Sequence, residues 1–363
     1  MKKRILLISN MYPSAKYPHY GIFVKNTKRI LEQSGNHVDK SVIIKEDGIL
    51  KRFFGYIKFY AEVIVKCSRD YDAIYAHFAS HVALPLLLTS KFKTTPIILN
   101  VHGNDVVPED DHDRRFTGIV KKIVQKSTYI ICPSEYYSDI MRNVYHVEPS
   151  RLCIYPSGGI DTEFFTDIDR NKARKLLGLE PDKLFIGYAS RFEIHKGWDI
   201  YLNACADLIM DNPKIRLVVA GGGSEEDRFH SLIKELSLTD KIIKFDLLSH
   251  DKLRLFYNAV DVFVFPTYRK SESLGLVGLE SMACKTITVL PNKYGPSSYA
   301  EDGENCICFE SGNTKSLCNA IKKALALDDE TAAQMRIKAR ETAERYDSRN
   351  TGKILTDLFE DQI

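Results

Sequence analysis

The chain has 363 residues, 44% hydrophobic and 27% charged, a composition ordinary for a globular protein and long enough for two domains with separate cores. No apolar run approaches the ~18 residues that span a bilayer, and the start "MKKRILLISN" offers only Ile5 to Ile8 as an apolar core, too short for a signal peptide. The net charge of +3 is unevenly spread: residues 1–150 hold 22 Lys/Arg and 15 Asp/Glu, a balance of +7, and the rest hold 29 and 33, a balance of −4.

A basic first half suits an anionic surface or substrate, and no nucleic-acid partner is expected. The expected location is cytoplasmic, with peripheral attachment to the inner face of a membrane as an option. The eight cysteines are scattered without a C-x-x-C pair, which reads as reduced structural thiols.

In chain order, "RILLISN" reads as a strand and "GIFVKNTKRILEQSG" as a helix opening at Gly21 and closed by Gly35. "KRFFGYIKFYAEVIVK", Lys51 to Lys66, interleaves four basic residues with Phe53, Phe54, Tyr56, Phe59 and Tyr60. If helical, it has too many aromatics for one buried stripe, so two readings stand: contact with an anionic lipid surface, or packing with ordinary exposed tyrosines. "YDAIYAHF", "TPIILNVHG" and "YIICPSE" complete the strands of the first half. The polar stretch Asp161 to Lys183 bears no strand and reads as the join. The second half restarts with "LFIGYASR", "IRLVVAGGG", "KIIKF" and "DVFVFP", and "RYDSRNTGKILTDLFEDQI" is a last helix after a turn. The alternation predicts an α/β chain of two Rossmann-like parallel-sheet units in tandem.

Ligands in such sheets sit at the carboxyl ends of strands. There "NVHGNDV" places His102, and Gly21 opens a helix whose unpaired amides can face an anion. "ASRFEIHKGWD" carries Arg191 and Lys196 five apart, a pair suited to a diphosphate if not simply solvated. Gly221 to Gly223 let backbone approach a phosphate or base, or make a tight turn. "DHD" (111–113) and "DID" (167–169) lie in hydrophilic loops and read as solvated, so no metal site is expected. G-x-S-x-G, H-E-x-x-H and the P-loop are missing, which removes most support for hydrolase and P-loop readings.

"SESLGLVGLE" sets Glu272 in the loop after a strand and Glu280 eight positions on, inside the following helix. Even in a continuous helix their Cα atoms would lie ~12 Å apart, too wide for the acid and base of a glycosidase.

The ordered series "NMYP", "YGIFVKNTKRILEQSGNHV", "HGND", "PSGGIDTEFF", "SRFEIHKG", "VVAGGG", "VFVFPTYRKSESLGLVGLESMA" and "AEDGENCICF" resembles the retaining glycosyltransferases of family 4 (glycosyl transferases group 1), with the GT-B fold. The resemblance covers nearly the whole chain. It implies two Rossmann-like domains facing across a cleft: an acceptor-side domain 1–165, a donor-side domain 166–345, and a helix 346–363 crossing back to the first. It implies sugar transfer from a nucleotide-diphosphate donor, carrying UDP or GDP, to a glycan or lipid-linked glycan in envelope polysaccharide synthesis, with no cofactor and no metal. Glu272 is implied to meet the donor sugar with His102 as its catalytic partner. Gly21, Arg191, Lys196, Ser273, Leu274, Gly275 and Leu276 are implied to hold the diphosphate, and Gly221, Gly222, Asp246, Leu247 and Glu280 the nucleoside and ribose.

Four departures from the family pattern bear on which base and sugar are bound. Lys285 stands where glycine is usual, Tyr294 with Gly295 where a glycine pair is common, Ser298 at a glutamate position, and Asp246 where glycine is common. A GT-B nucleotide-sugar epimerase and an NAD-dependent oxidoreductase are the rival readings. The latter lacks a complete G-x-G-x-x-G with a following acidic residue.

Overall fold

A computed structural model describes residues 2–18 and 20–362. It divides into two compact units, residues 1–159 with 349–363 and residues 160–348. The first sheet contains β1 (Arg4–Ser9), β2 (His37–Val42), β3 (Ala73–His77), β4 (Ile97–Asn100), β5 (Tyr129–Cys132) and β6 (Leu152–Ile154). They run parallel in the order β2-β1-β3-β4-β5-β6. The second sheet contains β7 (Leu184–Ala189), β8 (Ile215–Ala220), β9 (Ile242–Phe245), β10 (Val262–Val264), β11 (Ile287–Pro291) and β12 (Ile307–Phe309), again parallel, in the order β12-β11-β10-β7-β8-β9.

Helices cover both faces of each sheet, which is why the inner strands are nearly continuous apolar runs. In β1, Leu6 and Ile8 pack on one side with the helix Ile49–Cys67, while Ile5 and Leu7 pack on the other with Val24 and Leu31 of the helix Ile22–Gln33. That second face is completed by the helix Ser348–Asp361 through Leu355, Leu358 and Phe359, whose ring meets Tyr75 edge-on.

The units change over at Gly159/Ile160 and Ser348/Arg349, against expected boundaries at 165/166 and 345/346. Residues 160–165 go with the second unit because Ile160 pairs with Asp347, whose carboxylate takes hydrogen bonds from the Thr162 amide at 3.2 Å and hydroxyl at 2.6 Å.

Candidate functional site

The order of the second sheet reverses between β7 and β10. The chain lays β8 and β9 on one side of β7 and then returns to place β10 on the other, so the loops that leave these two neighbours start at the reversal, where ligands bind in open α/β sheets. The β7 loop runs to the helix Trp198–Asp211 and the β10 loop to the helix Leu276–Ala283. The loops are tied together: the His195 carbonyl accepts from the Tyr268 amide at 2.9 Å. Gly197, with φ +82°, packs so closely that a Cβ there would lie 2.0 Å from the Pro266 oxygen.

At this junction the Lys196 ammonium meets the Glu272 carboxylate at 2.8 Å, and the Thr267 hydroxyl donates to the same oxygen at 3.2 Å. Both charged side chains are largely withdrawn from solvent, at 12% and 10% exposure. In such a pair each charge stabilises its partner, and removing one leaves the other uncompensated. Arg191, from the same loop, is exposed and pairs with Glu193 at 2.8 Å.

Below this pair the helix Leu276–Ala283 starts at Gly275, whose φ of +83° favours glycine and whose Cβ would lie 2.6 Å from the Phe265 ring. Tyr299 donates its hydroxyl to the Gly275 carbonyl at 2.8 Å and fixes the entry to the helix. Gly295 lies on the backbone of Glu272 to Leu274, with its amide donating to the Glu272 carbonyl at 3.1 Å. Ser273 to Leu276 are thus backbone held at a helix N-terminus, the kind of place where phosphate oxygens are stabilised. Glu280, one face further along the helix, accepts from the Tyr257 hydroxyl at 2.8 Å, and burial raises its carboxyl above the usual range.

The glycine turn after β8 is shaped by its neighbour. A Cβ at Gly221 would lie 2.2 Å from the Ser190 carbonyl and one at Gly223 2.5 Å from the Phe192 carbonyl, and the Phe192 amide donates to the Gly222 carbonyl at 3.0 Å. Glycine at 221 and 223 is therefore demanded by chain packing alone. Asp246 is exposed beside Lys244 at 3.1 Å, and Leu247 is exposed with it.

In the first unit His102 follows β4 at the carboxyl edge. Its Nε2 lies 2.9 Å from Nδ1 of the buried His77, and its ring stacks on Phe78 and lies 4.8 Å from that of Phe23, two residues after Gly21. Burial lowers the His102 ring to about 3 and holds His77 well below the usual histidine range, so both are neutral. The Thr27 hydroxyl donates to the Val24 carbonyl, so it can only accept from His77 Nε2, at 3.4 Å. These contacts are all satisfied when His102 donates from Nε2 to His77 and keeps Nδ1 as an acceptor. The Asp105 carboxylate holds the following turn, accepting from the amides of His102 and Gly103 and, on its other oxygen, from Ala79. Gly21 starts its helix at φ +72°, and a Cβ there would lie 2.7 Å from the backbone of Met11.

The second unit therefore brings Lys196, Glu272 and the Ser273 to Leu276 backbone together, with Glu280 on the same helix, and the first brings Phe23, from the helix that Gly21 opens, against His102. Thr267, Tyr257, Tyr299 and His77 escaped the sequence reading. His77 had a signal, being the last residue of an apolar strand; Tyr257 had none, since its partner lies 23 positions away. The expected metal-free reading of "DHD" meets one geometric qualification. Asp110, His112 and Asp113 offer donor atoms within 4.8 Å of one another. Asp110 is spent capping the helix Asp111–Arg114, and Asp113 accepts from Asn104.

Two parallel six-stranded α/β units in tandem, each with strand-end loops at a reversal of sheet order, define the GT-B class of glycosyltransferase folds. Sucrose-phosphate synthase from Thermosynechococcus elongatus superposes with a TM-score of 0.82 over 99% of both chains at 20% identity. Anabaena HepE in complex with UDP and glucose does so with 0.75 over 98% of this chain and 99% of that one at 19% identity. Residues 19–164 match the model of Glycosyltransferase Family 4 and residues 169–342 that of Glycosyl transferases group 1, and the chain belongs to this family. The D-inositol 3-phosphate glycosyltransferase of Stackebrandtia nassauensis is 29% identical over 265 residues, 70% of this chain and 59% of the relative. The chain spans between half and three fifths of the length of the first curated relatives it matches.

Proposed function

We propose that this protein transfers a sugar from a nucleoside diphosphate donor to a glycan or lipid-linked glycan of the cell envelope, with retention of anomeric configuration and without a metal. The observation that carries the reading is the Lys196–Glu272 pair at the sheet reversal, set directly before the start of the helix Leu276–Ala283. Family membership and the UDP named in the HepE complexes support the donor class.

In this reading the diphosphate lies against the amides of Ser273 to Leu276 and draws Lys196 toward itself, freeing Glu272 to accept from donor-sugar hydroxyls. Arg191 adds a second cation, the turn at Gly221 and Gly222 with Asp246 and Leu247 borders the base, and Glu280, oriented by Tyr257, accepts from the ribose. Neither glutamate is a base on the far face of the sugar. The acceptor hydroxyl attacks from the face of the leaving group, its oxygen bonds to the anomeric carbon as the bond to phosphate breaks, and its proton passes to the departing phosphate oxygen. Negative charge growing on the diphosphate is met by Lys196, Arg191 and the helix amides.

The helix Ile49–Cys67 exposes Phe53, Phe54 and Ile57 at 61%, 64% and 51%, while Phe59 is buried. This supports peripheral attachment to an anionic lipid surface. No helix among the described residues is long and apolar enough to cross a membrane.

The deciding experiment offers UDP- and GDP-sugars with and without chelator and reads the anomeric proton signal of the product. Retained configuration with activity surviving the chelator is expected; an inverted linkage or full dependence on divalent metal would refute the mechanism.

A further inference from the structure

We infer that Cys306 and Cys308 form a redox site in the second unit: a hydroperoxide oxidises the pair to an intramolecular disulfide, a dithiol reductant restores it, and the disulfide loosens the start of the helix Leu276–Ala283. Only the bearing of this on the donor rests on the reading above, in which that helix start holds the diphosphate.

The two cysteines flank Ile307 at the start of β12, the edge strand of the second sheet. Alternate residues of an extended chain share a face, and the two Sγ atoms are 3.7 Å apart. Cys306 is fully buried, whereas Cys308 is half-buried at the sheet edge, where a small oxidant can reach it. A hydrogen bond from the Cys306 thiol favours a thiolate at Cys308 and holds that group below the usual thiol value, with Lys323 of the helix Thr314–Leu325 acting in the same direction against burial and Asp302. Each of the six thiols outside the pair is raised by burial, Cys67 and Cys153 to about 11. Cys308 is therefore the attacking thiol and Cys306 the resolving one. No third His, Cys, Asp or Glu donor among the described residues joins the two sulphurs, whereas a structural zinc takes four ligands, so the pair suits redox chemistry rather than a metal.

In the first step the Cys308 thiolate gives an electron pair to hydrogen peroxide: a sulphur–oxygen bond forms, the oxygen–oxygen bond breaks, and hydroxide leaves with the proton that the thiol gave up. In the second the Cys306 sulphur attacks the sulfenic acid, the disulfide forms as the sulphur–oxygen bond breaks, and the Cys306 proton leaves with that hydroxide as water. Two thiols are oxidised and one peroxide is reduced to two waters.

A disulfide needs its Cβ atoms about 3.5 to 4.5 Å apart, whereas same-face neighbours along a strand are spaced by about 6.6 Å, so closure bends the backbone at Ile307 and leaves a strained, easily reduced bond. The bend falls on the turn from Asp302 to Cys306. There the Gly303 amide donates to the Cys306 carbonyl at 2.9 Å, and the Asp302 carboxylate accepts from the Cys308 amide at 2.7 Å. The turn carries the buried Asn305, whose amide group donates to the Tyr299 carbonyl at 2.8 Å and to the Thr342 hydroxyl at 3.0 Å. Tyr299 in turn donates its hydroxyl to the Gly275 carbonyl at the helix entry. Displacing Asn305 lengthens bonds that are already at their ordinary length, and the helix start then opens more often.

The test treats the reduced full chain with hydrogen peroxide, blocks the remaining thiols and maps every cysteine by mass spectrometry, for the wild type, Cys306→Ser and Cys308→Ser. The wild type should lose two free thiols, both from the peptide holding 306 and 308, and dithiothreitol should restore them. Cys306→Ser, which lacks the resolving sulphur, should be trapped by dimedone as a sulfenic acid at Cys308, and Cys308→Ser should leave Cys306 unoxidised. Amide hydrogen exchange over residues 274–283 should run about tenfold or more faster in the oxidised wild type and stay unchanged by peroxide in Cys308→Ser. Oxidation first at another cysteine, disulfides between chains, or a Cys306 that oxidises as readily without Cys308 would overturn the redox site, and equal exchange in both forms would overturn its coupling to the helix. Uridine diphosphate titrated into the reduced chain tests the donor reading separately, since no binding there would strike that reading and leave the redox site standing.

Discussion

The two sheets reverse order in the same way, β1 beside β3 in the first unit and β7 beside β10 in the second, yet they dress the two junctions in opposite chemistry. The second junction holds a desolvated ion pair, Lys196 with Glu272. The first holds neutral groups: the His77–His102 pair, kept uncharged by burial, and the open amide oxygen of Asn10. An anionic ligand is best met by a cation already in place, whose counter-charge can be exchanged for the ligand's own. A polyol is best met by neutral acceptors, which hold hydroxyls without the cost of desolvating a charge. Under the proposed function, the charged junction of the second unit is the one that meets the donor diphosphate and the neutral junction of the first the one that meets the sugar.

The largest test of this contrast removes the carboxylate. Glu272→Ala should lower kcat roughly 10² to 10³-fold, the scale of losing one positioned group that acts in the transition state. Thermal melting should fall as well, because the change leaves the withdrawn Lys196 ammonium without its counter-charge. Loss of melting temperature with kcat intact would reduce Glu272 to a structural partner of Lys196. His102→Ala should act in the same direction on kcat with a smaller change in stability.

Next comes the cation. Lys196→Ala should weaken nucleoside diphosphate binding by about 1.5 to 3 kcal/mol, the range for hydrogen bonds to charged groups. Arg191→Ala should cost less than Lys196→Ala, since Arg191 is exposed and shared with Glu193. Calorimetry showing equal losses, or none, would break the ranking.

The neutral junction carries its own pH signature. Unfolded histidine binds a proton near 6.5, but folded His102 does so only near about 3 and His77 also well below its ordinary value. Below pH 6.5 the unfolded chain therefore binds more protons than the folded one, and stability falls as pH falls. It is complete above pH 6.5 and declines toward pH 3, at about 1.4 kcal/mol per pH unit for each such histidine. Urea denaturation at pH 7.5 and 5.5 should show the loss, and His102→Gln should flatten it. An identical slope in the variant would mean that other groups titrate there.

Most of this architecture can be read from residue order, for reasons that differ by element. Central strands such as "RILLIS" and "IRLVVA" are buried on both faces and show as apolar runs. The strands missed include the edges β2, β6 and β12, where "HVDKSV" alternates polar residues because one side of it meets water. Glu272 and Lys196 were legible as strand-end residues, but their pairing was not, because 76 positions separate them and only the adjacency of β7 and β10 brings them together.

The smallest effect concerns Lys285, which stands where the family pattern favours glycine. Its φ is +55°, in the left-handed region, at the turn between the helix Leu276–Ala283 and β11. A side chain there strains the backbone by roughly 1 to 2 kcal/mol, and glycine would remove that strain. Glycine also gives the unfolded chain more freedom, costing ~0.4 to 1 kcal/mol. The substitution further gives up the exposed contact of Lys285 with Asp167 at 3.3 Å, which contributes little. The balance predicts that Lys285→Gly raises stability by about 0.5 to 1 kcal/mol, read as a higher urea midpoint with an unchanged slope. Donor binding should stay as it is, since the turn lies past the far end of the helix whose start is proposed to hold the diphosphate. A lower midpoint would show that Lys285 is held in this conformation by contacts worth more than its strain. Altered nucleotide affinity would instead show that this turn sets where Glu280 sits, and would tie the departure from glycine to the choice of nucleoside.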